Sequence, residues 1–484
     1  MADGTCDNSG NRIMILTSLK EIKKQKYDVC IIGAGPAGIT TAINLDRRVK
    51  VLLVEAGDIE YSEKSQEYYS GRVIGDHYFD LKVCRLRQFG GSSGHWGGKC
   101  CTLDDFDFSY KAYAPLAHWP IGKPDLDKYL LKASSILKIK PVFRNSPYTW
   151  DSNIHDVHFE FSPPVRFKQQ YFEDISKSEN IDLIASTSLS RAHLDSSSIK
   201  EIMLSHASGD KVSVKANTYI FAMGGIENGR ILKFIAGDNP ESALNKNKNV
   251  GAYWMEHPHF MVGDIFYNKP AADQWHIGIS EQQKRKLKVL NCNLNLVPHM
   301  GHAGDGKVKK LLRELVCADE AIGTAISQGI GKNYCGGRID AAWEQAPSFD
   351  NRIDLASEVD SFGIPKVVLK WKKSDMDLRT IRLTAEYIAE SMVKNKQAKI
   401  RLKEWLWNGQ YPDDDTLGGP HHMGGTRMSN TKSSGVVDPN LRSWDVSNLF
   451  IVGSSVFPSG GHANPTLTIV QLAARLADYL MTKA

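Results

Sequence analysis

Eight cysteines in 484 residues are too few for a disulfide scaffold. Cys6, Cys30, Cys84, Cys100, Cys101, Cys292, Cys317 and Cys335 include no C-x-x-C pair, so zinc and iron–sulfur spacings are missing. A haem-attachment C-x-x-C-H is missing too, which leaves electrons no internal haem to reach. No run approaches the ~18 apolar residues of a membrane helix. The first twenty residues lack the basic start and long apolar centre of a secretory signal. Cytoplasm is therefore the default expectation, and residues 1–24 read as a poorly ordered arm. Long basic runs are also lacking. Lys23-Lys24-Gln25-Lys26 and Lys307 to Lys310 read as solvated surface, and the formal net charge is only +5, so no nucleic acid is expected as a partner. No internal repeat or low-complexity linker appears.

What is present is the pattern of an α/β protein. At roughly 100–200 residues per domain, the length suggests two to four units. Tyr27 to Gly33 is an apolar run through Val29-Cys30-Ile31-Ile32, as expected of a strand buried on both faces of a parallel sheet. Cys30 within it reads as a buried thiol; Cys100 and Cys101 also read as inert. Ala37 to Leu45 carries helical spacing, and Val49 to Val54 is a second buried strand, completing a β-α-β unit. Tyr110 to Leu137 reads as helical, 181–222 as several short strands, and Lys309 to Val316 as a short amphipathic helix. Lys366 to Trp371 reads as a strand with one exposed face. Met376 to Lys394 and Ile469 to Leu480 read as helices, and Phe450-Ile451-Val452 as a buried strand stopped by Gly453. Cofactor-type signals lie at both ends of the chain and near 222–230, so the domains are expected to interleave.

Gly33-Ala34-Gly35-Pro36-Ala37-Gly38 fits G-x-G-x-x-G between a buried strand and a helix, the context in which that motif binds a dinucleotide. The first glycine permits the tight turn, the second a close pyrophosphate, the third close helix–strand packing. The helix N-terminus adds free N–H groups and the positive end of its dipole. Glu55 ends the second strand, where a carboxylate accepts from both ribose hydroxyls and repels a 2′-phosphate. This motif alone does not separate FAD from NAD.

Blocks further on do. Glu55-Ala56-Gly57, Gly90-Gly91-Ser92-Ser93-Gly94-His95-Trp96-Gly97-Gly98 and Ala222-Met223-Gly224-Gly225-Ile226-Glu227-Asn228-Gly229-Arg230 resemble the glucose–methanol–choline (GMC) oxidoreductases. So do His421-His422-Met423-Gly424-Gly425-Thr426-Arg427-Met428, the Asn448 to Ser454 block and Ala463-Asn464-Pro465-Thr466-Leu467-Thr468. His95-Trp96 and Asn464-Pro465-Thr466 look nearest to the pyranose oxidase branch, as do Trp119-Pro120-Ile121 and Phe161-Ser162-Pro163-Pro164.

The resemblance implies FAD. It also implies a Rossmann-like FAD domain, a parallel sheet with helices on both faces, interleaved with an α+β substrate domain built on a large, mainly antiparallel sheet. The expected boundaries are 25–109, 181–260 and 416–484 for the first, and 110–180 and 261–415 for the second. Gly33, Gly35, Pro36, Ala37, Gly38, Glu55 and Ala56 would hold the adenosine and pyrophosphate, with Leu189 presenting backbone to the adenine. Gly90, Gly91, Ser92, Ser93, Gly94, His95, Trp96 and Gly97 would form a loop beside the flavin. Ala222, Gly224, Gly225, Gly453, Ser454, Asn464, Pro465 and Thr466 would complete the cofactor wall, unless these glycines are plain strand-end turns. His95 stands where pyranose oxidases carry a covalent flavin bond. Its three predecessors differ here, so a tether and simple packing on the ring both stay open.

The implied reaction takes a proton from a hydroxyl and a hydride from its carbon, oxidising a primary or secondary alcohol of a sugar, glycoside or polyol. Histidine suits the base because it titrates near neutrality. The two family positions fall on His422, four before Thr426, and Asn464, which would hold the substrate oxygen. His421 is its neighbour in sequence. His257-Pro258-His259 lacks a third ligand and reads as structural or flavin-adjacent, not as a metal pair. His299 and His302 flank Gly301 to Gly306, read as a surface loop. Glu344-Gln345 points either to substrate or to a bond inside the sheet. Asp413-Asp414-Asp415 reads as solvated. Reoxidation by oxygen, a quinone or a partner protein is open, as is the alternative of a family lyase or non-redox flavoprotein with structural FAD.

Overall fold

The computed structural model describes residues 15–16, 18–22, 26–163, 165–267, 275–298, 321–322, 325, 336–413 and 419–483. The run Lys307 to Lys310, His299, His302, the Gly301 to Gly306 loop, the expected helix Lys309 to Val316 and Asp414-Asp415 lie outside them.

A five-stranded parallel sheet forms the first layer, in the order Leu449–Ile451, Ala216–Phe221, Tyr27–Ile32, Val51–Val54, Ile181–Ile184. Its middle strands are apolar on both faces because both are covered. Cys30, Ile31, Leu52 and Leu53 are all fully buried, each such aliphatic side chain contributing about 1.5–3 kcal/mol. The first strand runs into Gly33 and the helix Pro36–Asn44, where Pro36 pre-sets the backbone of the first turn. The last helix, Pro465–Lys483, shares this core.

The second layer is a seven-stranded antiparallel sheet. Its order is Ala398–Leu402, His259–Tyr267, Gly336–Trp343, Cys292–Pro298, Trp275–Ile279, Asp151–Asp156, Pro147–Tyr148. One face packs on the helix Asp375–Lys394, which starts at a capping box between Ser374 and Asp377. The other face roofs a cavity above the parallel sheet.

Several local expectations need correction. Tyr110 to Leu137 is not one helix: only Lys123–Asp127 and Leu130–Leu137 are helical. Gly122 and Pro124 break the pattern, and loop residues through Ile121 pack by their side chains. Leu126, Ala133 and Leu137 join the parallel-sheet core rather than the roof, and Gln471 donates to the Leu126 carbonyl at 3.0 Å. Pro365–Trp371 has no exposed face over its centre, since Val367, Val368 and Leu369 are all buried. It pairs with Arg352–Val359 and, in parallel, with Gly71–Gly75, a third sheet that joins segments expected to lie in separate domains. Gly224–Gly225, weighed as a strand-end turn, opens a 15-residue helix, Gly224–Asp238.

Candidate functional site

A cavity of about 540 Å³ lies between the parallel sheet and the roof. Gly33, Gly35, Pro36, Ala37, Glu55 and Ala56 line one end, with Leu189. Gly91, Ser92, Ser93, His95, Trp96 and Gly97 form a side wall. Ala222, Gly224, Gly225, His422, Gly453, Ser454, Asn464, Pro465 and Thr466 close it. Three expected members do not reach the space: Gly38, Gly90 and Gly94. They shape it from behind. A Cβ on Gly38 would stand 1.9 Å from the Gly33 carbonyl oxygen, so only glycine lets the helix seat on the turn. Gly90 adopts φ +87°, with the Lys168 amide nitrogen where a Cβ would go, and Gly94 is closed by the Gln88 side chain.

The turn end is built for a polar ligand. Glu55 is buried, and its two carboxylate oxygens accept from Ala34 N–H at 2.9 Å and Gly57 N–H at 2.8 Å. Burial pushes its carboxyl upward against those hydrogen bonds. Gly35 gives the helix Pro36–Asn44 no side-chain cap, so no capping side chain takes the N–H groups of its first turn, beside the cavity wall at Gly35 and Ala37. At the side wall Ser93 donates to the Gly90 carbonyl at 2.7 Å, and Trp96 Nε1 donates to the Val165 carbonyl at 2.9 Å. The loop is thereby fixed. Burial pushes the His95 imidazole downward, followed by Arg166.

The histidine pair is resolved differently from the spacing argument. His421, not His422, meets Asn464: its Nε2 lies 3.1 Å from Asn464 Nδ2. His421 Nδ1 lies 3.0 Å from His257 Nδ1. His422 turns the other way, tilted on Trp254 at 5.8 Å and Tyr78 at 6.2 Å between centroids, with Nε2 buried and unpartnered. The reason lies in the backbone. The His421 N–H is held by Glu256 Oε1 at 2.6 Å, and the His422 carbonyl sits where a Gly225 Cβ would stand. Glu256 also accepts from the His257 N–H at 2.9 Å and from the Tyr78 hydroxyl. Burial, then His257, pushes the His421 imidazole well below its ordinary range. Burial brings His422 down to about 3.

His257 and His259 belong to this arrangement, with His259 Nδ1 at 2.6 Å from the His257 carbonyl. Among the described residues no group of metal-ligating side chains is assembled. Glu344 and Gln345 make internal bonds: Glu344 accepts from the Asn291 N–H at 3.1 Å, Gln345 from Trp371 Nε1 at 2.8 Å. Cys100 and Cys101 are buried, with burial pushing Cys100 up to about 12.

Other lining residues were not singled out as site residues, although Glu227 and Arg230 lie in the Ala222 to Arg230 block. Arg85 pairs with Glu227 at 2.7 Å, and Arg230 bridges Glu227 at 2.8 Å and Asp360 at 2.9 Å. Burial opposes ionisation of Glu227, but Arg230 and Arg85 outweigh it and hold the carboxyl down to about 2. Lys99, His462, Asn293, Asn295 and Asp340 also line the space. The alternation Asn293-Leu294-Asn295-Leu296 is the signal that marks two of them.

Residues 347–473 match the family model described as GMC oxidoreductase. Over that segment the chain is similar to the GMC oxidoreductases. Among curated GMC-type relatives, the fructose dehydrogenase large subunit of Gluconobacter japonicus is 27% identical over 284 residues, 55% of this chain and 48% of that protein. A 2-methyl-1,2-propanediol dehydrogenase of Mycolicibacterium austroafricanum is 31% identical over 141 residues, 28% of this chain and 24% of that one. The chain thus spans half or less of the length of these GMC-type relatives. In fold, it resembles an FAD-dependent oxidoreductase from Chaetomium thermophilum with a TM-score of 0.58, at 14% identity, over 95% of this chain and 99% of that one. No helix among the described residues is long and apolar enough to cross a membrane.

Proposed function

We propose that this chain is an FAD-dependent oxidoreductase converting a primary or secondary alcohol of a sugar, glycoside or polyol to a carbonyl. The observation that carries this reading is the 3.1 Å contact between His421 Nε2 and Asn464 Nδ2 in the wall of the cavity. The donor set fits the cofactor. Glu55 suits the ribose hydroxyls, the uncapped turn at Gly35 suits the pyrophosphate, and His95, Trp96 and the unpartnered Nε2 of His422 suit the flavin ring. The chemistry an FAD supplies at this place is acceptance of a hydride.

The remaining work falls to side chains. Burial disfavours the charged form of His421, so its Nε2 takes the hydroxyl proton once the substrate hydroxyl replaces the Asn464 amide as its donor. The Asn464 amide orients the substrate oxygen toward that nitrogen. As the proton passes to Nε2, the C–O bond becomes a carbonyl and the hydride leaves the same carbon. The buried walls keep bulk water from competing for it. Named dehydrogenases among the relatives support alcohol oxidation. Oxygen, a quinone or a partner protein then removes the electrons.

The test is anaerobic. FAD-loaded protein mixed with sugars, glycosides and polyols should lose its yellow colour with at least one of them. A substrate consumed with the colour intact would instead make the chain a lyase with structural FAD.

A further inference from the structure

We propose that the cavity face of the roof sheet is a hydroxyl-reading surface. Asn293, Asn295 and Asp340 on it would bind the hydroxyls that neighbour the reacting one. The inference rests on the reading of His421 as the group that meets the reacting hydroxyl.

The strand Cys292–Pro298 alternates polar and apolar side chains, Asn293-Leu294-Asn295-Leu296. An alternating strand normally turns its polar side to water. Here Leu294 and Leu296 face the roof's own core, and the asparagines face the cavity. Asn293 is 4% exposed and Asp340 is 9% exposed, so this polar face is enclosed rather than solvated. Asn295 Oδ1 and His276 Nδ1 are buried with no hydrogen-bond partner. Leaving Asn295 Oδ1, which lines the cavity, unpaired costs roughly 1–3 kcal/mol, a cost that a ligand's hydroxyl removes.

Register places these groups in order. Asn295 stands opposite His276 on one side and Asp340 on the other, one continuous row across three strands. Asn293 stands opposite Ala342, which stands opposite His259, whose ring lies 5.5 Å from that of His421. Rows two residues apart along a strand are separated by roughly 7 Å, and partners across strands by about 4.5–5.5 Å. The Asn295–Asp340 row is thus about one sugar ring further out than the row touching the histidines. Ala342 between them is small and leaves the space open. Arg338 holds Asp340 Oδ2 at 2.9 Å; a carboxylate so held still accepts from a hydroxyl, and an amide both donates and accepts, the combination that vicinal hydroxyls satisfy. A polyhydroxylated ring meets these groups; a monohydric alcohol leaves Asn295 Oδ1 unpaired.

The experiment reads binding without turnover. FAD-loaded His421→Ala protein is titrated calorimetrically with methyl α-glucopyranoside, myo-inositol, glycerol, 1-butanol and benzyl alcohol. At least one polyol should bind tenfold or more tighter than either monohydric alcohol. Adding Asn295→Leu or Asp340→Asn should cut that preference at least tenfold. If Asn295→Leu does not fold, Asn295→Ala removes the amide without adding a charge opposite Asp340, and should cut it similarly. Polyols binding no tighter than 1-butanol, or a preference that survives in the folded variants, overturns the proposal. Failure of the unsubstituted protein to bleach would defeat the redox reading while leaving this binding result to stand on its own.

Discussion

His257 Nδ1 lies 3.0 Å from His421 Nδ1, and the far nitrogen of His421 lies 3.1 Å from the Asn464 amide. Two ring nitrogens at that distance bond only when one of them carries the proton. With the Asn464 NH₂ donating to His421 Nε2, that nitrogen is unprotonated. The proton of His421 is therefore on Nδ1 and points at His257. The pair fixes the tautomer that leaves a lone pair facing the cavity.

Two substitutions separate the neighbouring histidines. His421→Ala should keep bound FAD and lose about 10²–10⁴-fold in the rate of flavin reduction, the usual cost of a lost base. His422→Ala should change that rate by less than about tenfold and instead lower the unfolding temperature, because it leaves a hole against Trp254 and Tyr78. Stopped-flow reduction and thermal unfolding of both variants decide the assignment. The reverse order of rate effects returns the base to His422.

His257→Phe removes the acceptor for His421 Nδ1–H while filling the same space. Both tautomers of His421 then become accessible, and the reduction rate should fall on the order of tenfold, the worth of one such hydrogen bond. Nitrogen NMR of labelled protein should show His421 shifting from a single tautomer toward a mixture. An unchanged tautomer together with an unchanged rate would leave His257 a packing residue.

Much of the site was legible because it rests on backbone rules. Gly33, Gly35 and Glu55 stand where strand, turn and helix require them, and the structure brings them to one cavity end. What was not legible depended on long-range packing. Spacing to Thr426 favours His422 over the adjacent His421, but spacing does not show where either ring points. Their directions are set by Glu256 and Gly225, more than 160 residues away for one and nearly 200 for the other. Gly38, grouped with the cofactor-binding glycines, does not line the cavity; its contact is with the Gly33 carbonyl, the close helix–strand packing expected of the motif's third glycine. Tyr110 to Leu137 looked helical by composition, yet Gly122 and Pro124 divide it, and its side chains answer to the last helix.

Gly38→Ala tests that distinction. The added methyl collides with the Gly33 carbonyl and shifts the turn carrying the uncapped N–H groups. Stability should drop by about 1–3 kcal/mol, the range for overpacking, and FAD should be lost on gel filtration. Glu55→Ala should lose FAD with a smaller change in the stability of the cofactor-free protein. Denaturant unfolding with and without FAD distinguishes them; equal stability of Gly38→Ala and the parent would show that the contact yields.

His95 gives a direct chemical test. The ring lines the cavity. If it is joined to the flavin, acid-precipitated protein stays yellow and His95→Ala protein releases its colour. If it only packs, both leave free FAD in the supernatant.

Stability should depend on pH in a stated direction. Burial holds His257, His276 and His422 down to about 3, and His155 and His259 to about 4, all below the unfolded value of 6.5. Below pH 6.5 the unfolded chain takes up protons that the folded one refuses, so stability is present above 6.5 and is lost as pH falls toward 4. Burial acts oppositely on Glu256, up to about 7, and Asp107, up to about 8. Their contribution is full below the unfolded carboxylate range and is lost as pH rises through those values. The histidines outnumber these acids, so the acid limb should be the steeper. The unfolding temperature should therefore peak between about pH 6 and 7 and fall on both sides. Scanning calorimetry from pH 4.5 to 9 checks this; a midpoint that climbs steadily to pH 9 would mean that Glu256 and Asp107 are ionised in the folded protein at neutral pH.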